Sequence, residues 1–173
     1  LREDHFTRPK RVQLMWAGTI LREVEAAVAL LNDDWSVAAD VWSITSANEL
    51  RRDGLACQRW NMLHPEETPK VPYITEQLND TEGPFIAATD YMKLYADQLR
   101  PYVPGRFNVL GTDGFGRSDT RAKLRHFFEV NRYFIVISAL SALVDEAKLD
   151  PSVIKQALKK YGISADKVDP TTV

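Results

Sequence analysis

The segment GTDGFGRSD, residues 111 to 119, has a composition that could bind a phosphate group. Glycine-rich loops between a strand and a helix can direct their backbone amides at an anion. Here, however, the glycines are spaced G-x-x-G-x-G, whereas a dinucleotide fingerprint has the spacing G-x-G-x-x-G. A Walker-type loop ends in Gly-Lys followed by Ser or Thr, but here Arg117 replaces the lysine and Asp113 adds a negative charge. The segment therefore favours a strand-to-helix turn, with Ser118 or Asp119 as the helix cap.

The other side chains that could do chemistry are three histidines and one cysteine. His64 precedes two glutamates in HPEE, but no second histidine is near it in sequence, so a solvated loop is favoured over a metal site. His126 lies in a helix-like stretch and His5 in a charged leader. Cys57 cannot form a disulfide within this chain and is expected to be a buried, inert thiol. Because no catalytic motif occurs elsewhere, the sequence predicts no catalytic, cofactor-binding or metal-binding residue.

Aromatic and charged residues crowd two segments, RWNMLHPEETPKVPYI (59 to 74) and TDYMKLYADQLRPYVP (89 to 104). Tyrosine, tryptophan, methionine and arginine are enriched at protein interfaces, but they also complete cores, and both interpretations stay open. Candidate contacts with a partner surface are Trp60, His64, Tyr91 and Tyr95 in these segments, and Asp113, Phe115 and Arg117 in GTDGFGRSD.

Strand and helix signals alternate along the chain, without an internal repeat. Four apolar runs predict strands at residues 12–18, 36–44, 84–90 and 107–113. Thr19, Ser46 and Asp150 are the residues expected to cap the helices that follow. The stretch RYFIVISALSALVDEA begins like a buried strand and continues like a helix. This order predicts an α/β fold of three layers, with a mostly parallel sheet of four to five strands and helices on both faces.

The length of 173 residues fits one domain, and 45% apolar residues are enough for one core. Residues 12–173 are expected to form this domain, and residues 1–11 a leader or linker of uncertain structure. The formal charge of -2 arises from acidic and basic residues mixed along the chain, so nucleic acid is not expected as a partner. No apolar run reaches the length of a membrane span, and a cytoplasmic location without membrane contact is expected.

Several long motifs of the chain resemble the carboxyl-terminal domain of the bacterial homodimeric pyruvate dehydrogenase first component, a transketolase-like enzyme family that depends on thiamine diphosphate. The motifs are DVWSITSANELRRDG, RWNMLHPEETPKVPYI, TDYMKLYADQLRPYVP, VLGTDGFGRSD and ISADKVDP. They occur in the right order, and the resemblance runs from about Val12 to the end of the sequence.

This resemblance implies a parent enzyme of three domains, in which the first two bind thiamine diphosphate and Mg²⁺ across a dimer interface. In such an enzyme pyruvate is decarboxylated on the cofactor, and the acetyl group passes to the lipoyl arm of a dihydrolipoyl acetyltransferase core. The present chain resembles the third domain, which packs against the upstream domains and across the homodimer. The thiamine motif does not match here, because Thr112 precedes Asp113 and Asn131 follows too soon. The resemblance thus implies a chain that is inactive alone.

Two hypotheses for the segment GTDGFGRSD follow. In the first, the turn docks on a neighbouring domain, with Phe115 as the apolar anchor and Arg117 as the charged one. In that case the isolated chain exposes surfaces that are normally covered, and we expect it to self-associate. In the second, the chain is a free-standing module that binds a small molecule or a nucleotide at the same loop and sheet edge.

Overall fold

A computed structural model describes residues 10–173. These residues form four strands: β1 (Lys10–Ala17), β2 (Val37–Ser43), β3 (Phe85–Thr89) and β4 (Phe107–Leu110). Lys10 and Arg11, which the sequence assigns to the leader, already belong to β1. The rest of that leader, including His5, lies outside the described residues.

The strands form a single parallel sheet in the order β2-β1-β3-β4. In the register of the sheet, Leu14 of β1 lies opposite Val41 of β2 and Ile86 of β3. Parallel neighbours need a crossover connection, and helices supply it between successive strands. The predicted parallel α/β sheet is therefore confirmed, with four strands among the described residues.

Seven α-helices accompany the sheet in the described part of the chain. They are α1 (Leu21–Trp35), α2 (Ala47–Leu63), α3 (Tyr73–Leu78), α4 (Leu94–Asp97), α5 (Arg121–Phe127), α6 (Arg132–Asp145) and α7 (Ser152–Tyr161). Two short 3₁₀ helices cover Arg100–Tyr102 and Pro170–Thr172.

Buried side chains alternate between the two faces of the sheet, as strands require. Val12, Leu14 and Ile86 pack on one face, in a core that includes residues of α1, α6 and α7. Met15 and Phe85 pack on the other face, in a core with residues of α2, α3 and α4. The expected three layers, with helices on both faces, are confirmed.

The sequence leaves open a fifth strand at the start of RYFIVISALSALVDEA. This prediction is wrong, because the whole stretch from Arg132 to Asp145 is helix α6. The side chain of Asn131 accepts hydrogen bonds from the backbone amides of Tyr133 and Phe134 at 3.1 and 3.2 Å, which caps the helix at its start. An apolar run that is buried on most sides has no clear period, and this is why the sequence suggests a strand there.

An apolar window within residues 121–145 is long enough to cross a membrane by length and composition, contrary to the expectation from sequence. The structure divides this stretch into α5 and α6. Six residues of α6 are buried in the protein, and this burial accounts for their apolar composition.

Two of the expected helix caps are wrong and two are confirmed. Thr19 does not cap α1, which begins after Ile20 without a side-chain cap, and Thr120 replaces Ser118 or Asp119 before α5. The hydroxyl of Ser46 accepts a hydrogen bond from the backbone amide of Glu49 at 3.3 Å, as predicted. Asp150 accepts one at 2.9 Å from the amide of Ser152, the first residue of α7, although Pro151 is the residue that directly precedes the helix.

Candidate functional site

The order of the strands creates a crevice at one edge of the sheet. The chain passes from β1 through α1 to β2 on one side, and later returns to β3 on the other side of β1. In parallel α/β sheets, ligands bind where the connections diverge in this way, outside the carboxyl ends of the strands. The carboxyl ends of β1 and β3 therefore mark the candidate site.

A cleft of about 570 Å³ opens at this position. It is bounded by the residues that follow β1, β3 and β4, together with the residues of α5 and its flanking segments. Its lining consists of Thr19, Asp90, Thr112, Gly114, Gly116, Arg117, Asp119, Arg121, Leu124, Arg125, Phe128 and Val130. A cavity of this volume is within the range of small-molecule sites.

A hydrogen bond between Thr19 and Asp90 spans the crevice. The Thr19 hydroxyl donates to Oδ2 of Asp90 at 2.7 Å. The other carboxylate oxygen, Oδ1, is buried and accepts no hydrogen bond from any residue that the structure describes. A buried acceptor without a donor costs about 1–3 kcal/mol, so this carboxylate is under-satisfied in a cleft.

The carboxylate of Asp90 fits this place because residue 18 has no side chain. Gly18 has a φ of +77°, and a Cβ atom there would lie 1.7 Å from Oδ1 of Asp90. Both the backbone conformation and the space require glycine at residue 18.

A cluster of charges on α1, α5 and α6 holds one wall of the cleft. Arg125 donates to Oε1 of Glu23 at 3.0 Å and to the carbonyl of Thr19 at 3.0 Å. Arg132 donates to both carboxylate oxygens of Glu23, at 2.9 and 3.2 Å. Burial alone would raise the pKa of Glu23, but the hydrogen bonds from Arg132 and the two positive charges outweigh it and keep the pKa below its ordinary value. The guanidinium group of Arg125 is thus occupied by Glu23 and Thr19, and it stabilises this wall of the cleft.

Two other arginines at the cleft are exposed and carry no ion pair with any described residue. The guanidinium of Arg117 lies over the ring of Phe127, 4.3 Å from its centroid. Arg121 lines the cleft and has no ion-pair partner among residues 10–173. Asp119 lies 3.7 Å from the ammonium group of Lys123. The cleft therefore presents two unpaired guanidinium groups beside the carboxylate of Asp90.

The segment GTDGFGRSD is tied to the residues that follow β3. Oδ1 of Asp113 accepts a hydrogen bond from the backbone amide of Lys93 at 2.8 Å. The amide of Thr112 donates to the carbonyl of Tyr91 at 2.8 Å. The side chain of Asp113 and the backbone of Thr112 therefore stabilise the loop, as expected for a turn.

The chain after α7 closes over the same segment. Gly114 has a φ of +111°, and a Cβ atom there would lie 2.3 Å from the carbonyl oxygen of Pro170. Lys167 bridges to Glu129 at 3.0 Å and donates to the carbonyl of Phe127 at 2.8 Å. We call residues 163–173 the tail; it holds the segment and the end of α5 in place.

Four large apolar side chains are exposed beside the cleft, and we call them the carboxyl-edge surface. They are Tyr91, Met92, Leu94 and Phe115, with Phe115 the most exposed at 76%. The rings of Tyr91 and Tyr95 lie 5.1 Å apart. Five of the residues predicted as contacts, namely Tyr91, Tyr95, Asp113, Phe115 and Arg117, therefore lie at one edge of the sheet.

The other two predicted contact residues, Trp60 and His64, are not brought to this edge. They lie at the end of α2, a helix that begins near the carboxyl ends of the strands and is roughly 25 Å long. Their rings are stacked at 4.4 Å, and the ammonium group of Lys70 lies 4.6 Å from the centre of the Trp60 ring. Nδ1 of His64 is 2.8 Å from the carbonyl oxygen of Trp60.

No group of three or more His, Cys, Asp and Glu residues that could hold a metal ion exists among the described residues. Cys57 is buried, and burial raises the pKa of its thiol, as expected for an unreactive cysteine.

Sequence reasoning missed most of the cleft lining, above all Asp90 and Arg121. A signal was nevertheless present: the strand runs end in AGT, ATD and GTD, so hydroxyl and carboxylate groups follow three strands at their carboxyl ends. The sequence indicates only that Arg121 and Arg125 are helix residues, because the side of α5 on which they lie depends on how that short helix packs.

The comparisons with known proteins agree on the class of this domain. Residues 1–131 match the family model described as transketolase-like TK C-terminal domain. A solved structure titled split gene transketolase, inactive beta4 tetramer, has the same fold, with a TM-score of 0.53 and 14% identity over 79% of this chain and 40% of that chain.

Curated relatives are far more similar in sequence. The chain is 56% identical to the pyruvate dehydrogenase E1 component of Pseudomonas aeruginosa over 98% of its length. It is 53% identical to the protein of that name from Escherichia coli K12 over 92%, and 51% identical to that of Cupriavidus necator over 94%. The chain spans only 18–19% of the length of these relatives.

Proposed function

The chain belongs to the transketolase-like C-terminal domain family, and we propose that it is the accessory domain of a pyruvate dehydrogenase E1 component, where it serves domain packing and dimer assembly. The similarity to E1 components over nearly the whole chain carries this proposal. In the matched relatives this domain is about one fifth of a longer protein, which favours an accessory domain over a free-standing binding module.

The exposed apolar side chains of the domain support a packing role. Tyr91, Leu94 and Phe115 are 57%, 65% and 76% exposed. Tyr91 and Phe115 lie on two loops that are hydrogen-bonded to each other, and Leu94 is the first residue of α4. Exposed apolar patches of this kind mark interfaces in soluble proteins. We propose that the carboxyl-edge surface is covered by another part of the E1 chain or by the second subunit.

A second exposed patch at the end of α2 supports the same role. Met62 and Leu63 are 71% and 51% exposed, and Val71 and Tyr73 are each 56% exposed. Two hydrogen bonds between Asn61 and Lys70, at 2.9 and 2.8 Å, hold the following loop against the helix, so the patch is presented by an ordered segment.

The residues that the structure describes at the cleft are not suited to bind Mg²⁺ and thiamine diphosphate. Mg²⁺ takes oxygen ligands in an octahedral arrangement, whereas the cleft has the guanidinium groups of Arg117 and Arg121 at its mouth. Asp113 is held by the backbone amide of Lys93, and Thr112 replaces the glycine of the family motif. On our proposal the cofactor, the decarboxylation of pyruvate and the catalytic residues belong to other domains of the E1 component.

The proposal also covers the location and the partners of the parent protein. E1 components of this type would act in the cytoplasm as homodimers, and would pass the acetyl group to a dihydrolipoyl acetyltransferase core. The domain itself would meet the upstream domains and the second subunit, with neither nucleic acid nor membrane as partner.

The packing role can be tested in the full-length E1 component with the double substitution Leu94→Ala and Phe115→Ala. We expect a fall of about tenfold or more in dimer affinity, measured by sedimentation, if the second subunit covers the surface, and in activity if another domain of the same chain does, since each buried side chain contributes about 1.5–3 kcal/mol. Val41→Thr is the matched control, because Val41 is 43% exposed but lies on β2, away from the carboxyl-edge surface. Unchanged dimer affinity and activity in the double variant would contradict the proposal.

A further inference from the structure

We propose that the cleft between the carboxyl ends of β1 and β3 binds a small phosphate monoester that carries neighbouring hydroxyl groups. This inference goes beyond the packing role, and it stands on the position, charge and hydrogen-bonding state of the cleft.

The position is the first argument. Thr19 follows β1 and Asp90 follows β3, so the two residues stand on either side of the point where the connections of the sheet diverge. Parallel α/β sheets bind ligands at this point irrespective of their reaction, because the loops there separate and leave a crevice. The volume of about 570 Å³ is sufficient for a phosphorylated compound of a few carbon atoms.

The charge of the cleft is the second argument. The ion pair with Glu23 occupies Arg125, and Lys123 lies near Asp119. Arg117 and Arg121 remain as exposed cations at the mouth of the cleft, without an ion pair to any described residue. Two guanidinium groups match a phosphate monoester, which has a charge of about −1.5 to −2 at neutral pH and oxygens suited to bidentate hydrogen bonds.

The hydrogen-bonding state of Asp90 is the third argument and indicates the remainder of the ligand. Oδ1 of Asp90 is buried against Gly18 and out of reach of a ligand. Oδ2 accepts a hydrogen bond from Thr19 at 2.7 Å and, as a carboxylate oxygen, has a position for a second donor. A ligand with only an anionic group would be repelled by this carboxylate. A ligand with hydroxyl groups beside the phosphate would donate to it.

The apolar floor of the cleft limits the size of the ligand. Leu124, Phe128 and Val130 are the apolar side chains of the cleft lining and offer no hydrogen-bonding group. A short carbon skeleton can lie on this floor between the arginines at the mouth and the carboxylate of Asp90.

The test is a calorimetric titration of the full-length protein with glycerol 3-phosphate, inorganic phosphate and glycerol. We expect saturable binding of glycerol 3-phosphate, weaker binding of inorganic phosphate and no detectable binding of glycerol. Arg121→Ala should weaken the binding of glycerol 3-phosphate about tenfold or more. Arg51→Ala is the matched control, because Arg51 is an exposed arginine on α2 and should leave binding unchanged.

Asp90→Asn tests the hydroxyl contact without a change of shape. A carboxylate that only repels anions predicts tighter binding of both phosphates in this variant. Our proposal predicts that the preference for glycerol 3-phosphate over inorganic phosphate falls severalfold. The proposal is overturned if wild type shows no saturable binding of glycerol 3-phosphate, if Arg51→Ala weakens binding as much as Arg121→Ala, or if the preference survives in Asp90→Asn.

Discussion

At the level of single residues, the carboxylate of Asp90 keeps its place because glycine occupies residue 18. The sequence shows a glycine after the first strand, and a turn there could be predicted. The function of that glycine could not, because Asp90 is distant in sequence and only the pairing of β1 with β3 brings the two together. The same holds for Phe115: its type suggests an interface, but its 76% exposure is known only from the fold.

We expect Gly18→Ala to lower the free energy of unfolding by about 3 kcal/mol or more, because it adds a clash with Asp90 to an unfavourable backbone conformation. Gly162→Ala isolates the backbone contribution, since Gly162 has a φ of +64° and a Cβ atom there would meet nothing within 4 Å. Gly162→Ala should lower the free energy of unfolding by only about 1 kcal/mol. Denaturant unfolding measures both, and equal losses in the two variants would refute the clash.

Gly116→Ala serves as a further control in the segment GTDGFGRSD. A Cβ atom at residue 116 would meet nothing within 4 Å, and its φ lies outside the left-handed region. The free energy of unfolding of this variant should lie within about 0.5 kcal/mol of that of wild type, as is usual for surface substitutions.

At the level of helices and strands, the sequence predicts the order of the elements better than it predicts where each element begins and ends. All four strands could be predicted, since runs of apolar residues bounded by glycine, proline and aspartate define them well. Ser46 could be recognised as a cap because it and Glu49 are three positions apart in sequence. The prediction for Thr19 is wrong because its hydroxyl bonds to Asp90, a partner from another strand that no local pattern indicates.

The link of α1 to α6 through Glu23 should make stability depend on acidity. A carboxylate whose pKa is lowered in the folded protein contributes stability above its ordinary pKa of 4.5, and this contribution is lost as the pH falls through the folded value. We expect Glu23→Gln to cost about 2 kcal/mol at neutral pH, since charged hydrogen bonds are lost. Denaturant unfolding as a function of pH should show that this difference shrinks below pH 4.5.

Glu25→Gln is the control for the effect of acidity. Glu25 lies on the same helix as Glu23 but is exposed, and its substitution should change stability little at any pH. A cost of Glu23→Gln that stays constant from neutral to acid pH would argue against the ion-pair explanation.

At the level of the whole molecule, residues 10–173 form a two-sided core and expose two apolar patches. The core follows from the composition and the alternation of strands and helices, and the sequence suffices to predict it. The grouping of Tyr91 with Phe115, and the separation of both from Trp60, depends on which loops share a sheet edge. That grouping follows from the strand order β2-β1-β3-β4, which no local pattern in the sequence encodes.

We expect this chain to self-associate at high concentration when it is studied alone, because the carboxyl-edge surface is uncovered. Light scattering over a range of concentrations should show an apparent mass that rises with concentration. Leu94→Ser together with Phe115→Ser should restore a monomer, whereas Val41→Thr should not. A clean monomer of the unchanged chain at every concentration would contradict this expectation.

The tail has a consequence for the order of folding. One of the contacts of the segment GTDGFGRSD is a close backbone approach between Gly114 and Pro170, and α5, α6 and α7 lie between these two residues in sequence. A contact of such long range forms only after the intervening helices have packed, since closing the loop earlier has an entropic cost. The cleft is therefore among the last parts of the domain to fold. In hydrogen exchange during refolding, the amides around the cleft should become protected later than those of β1.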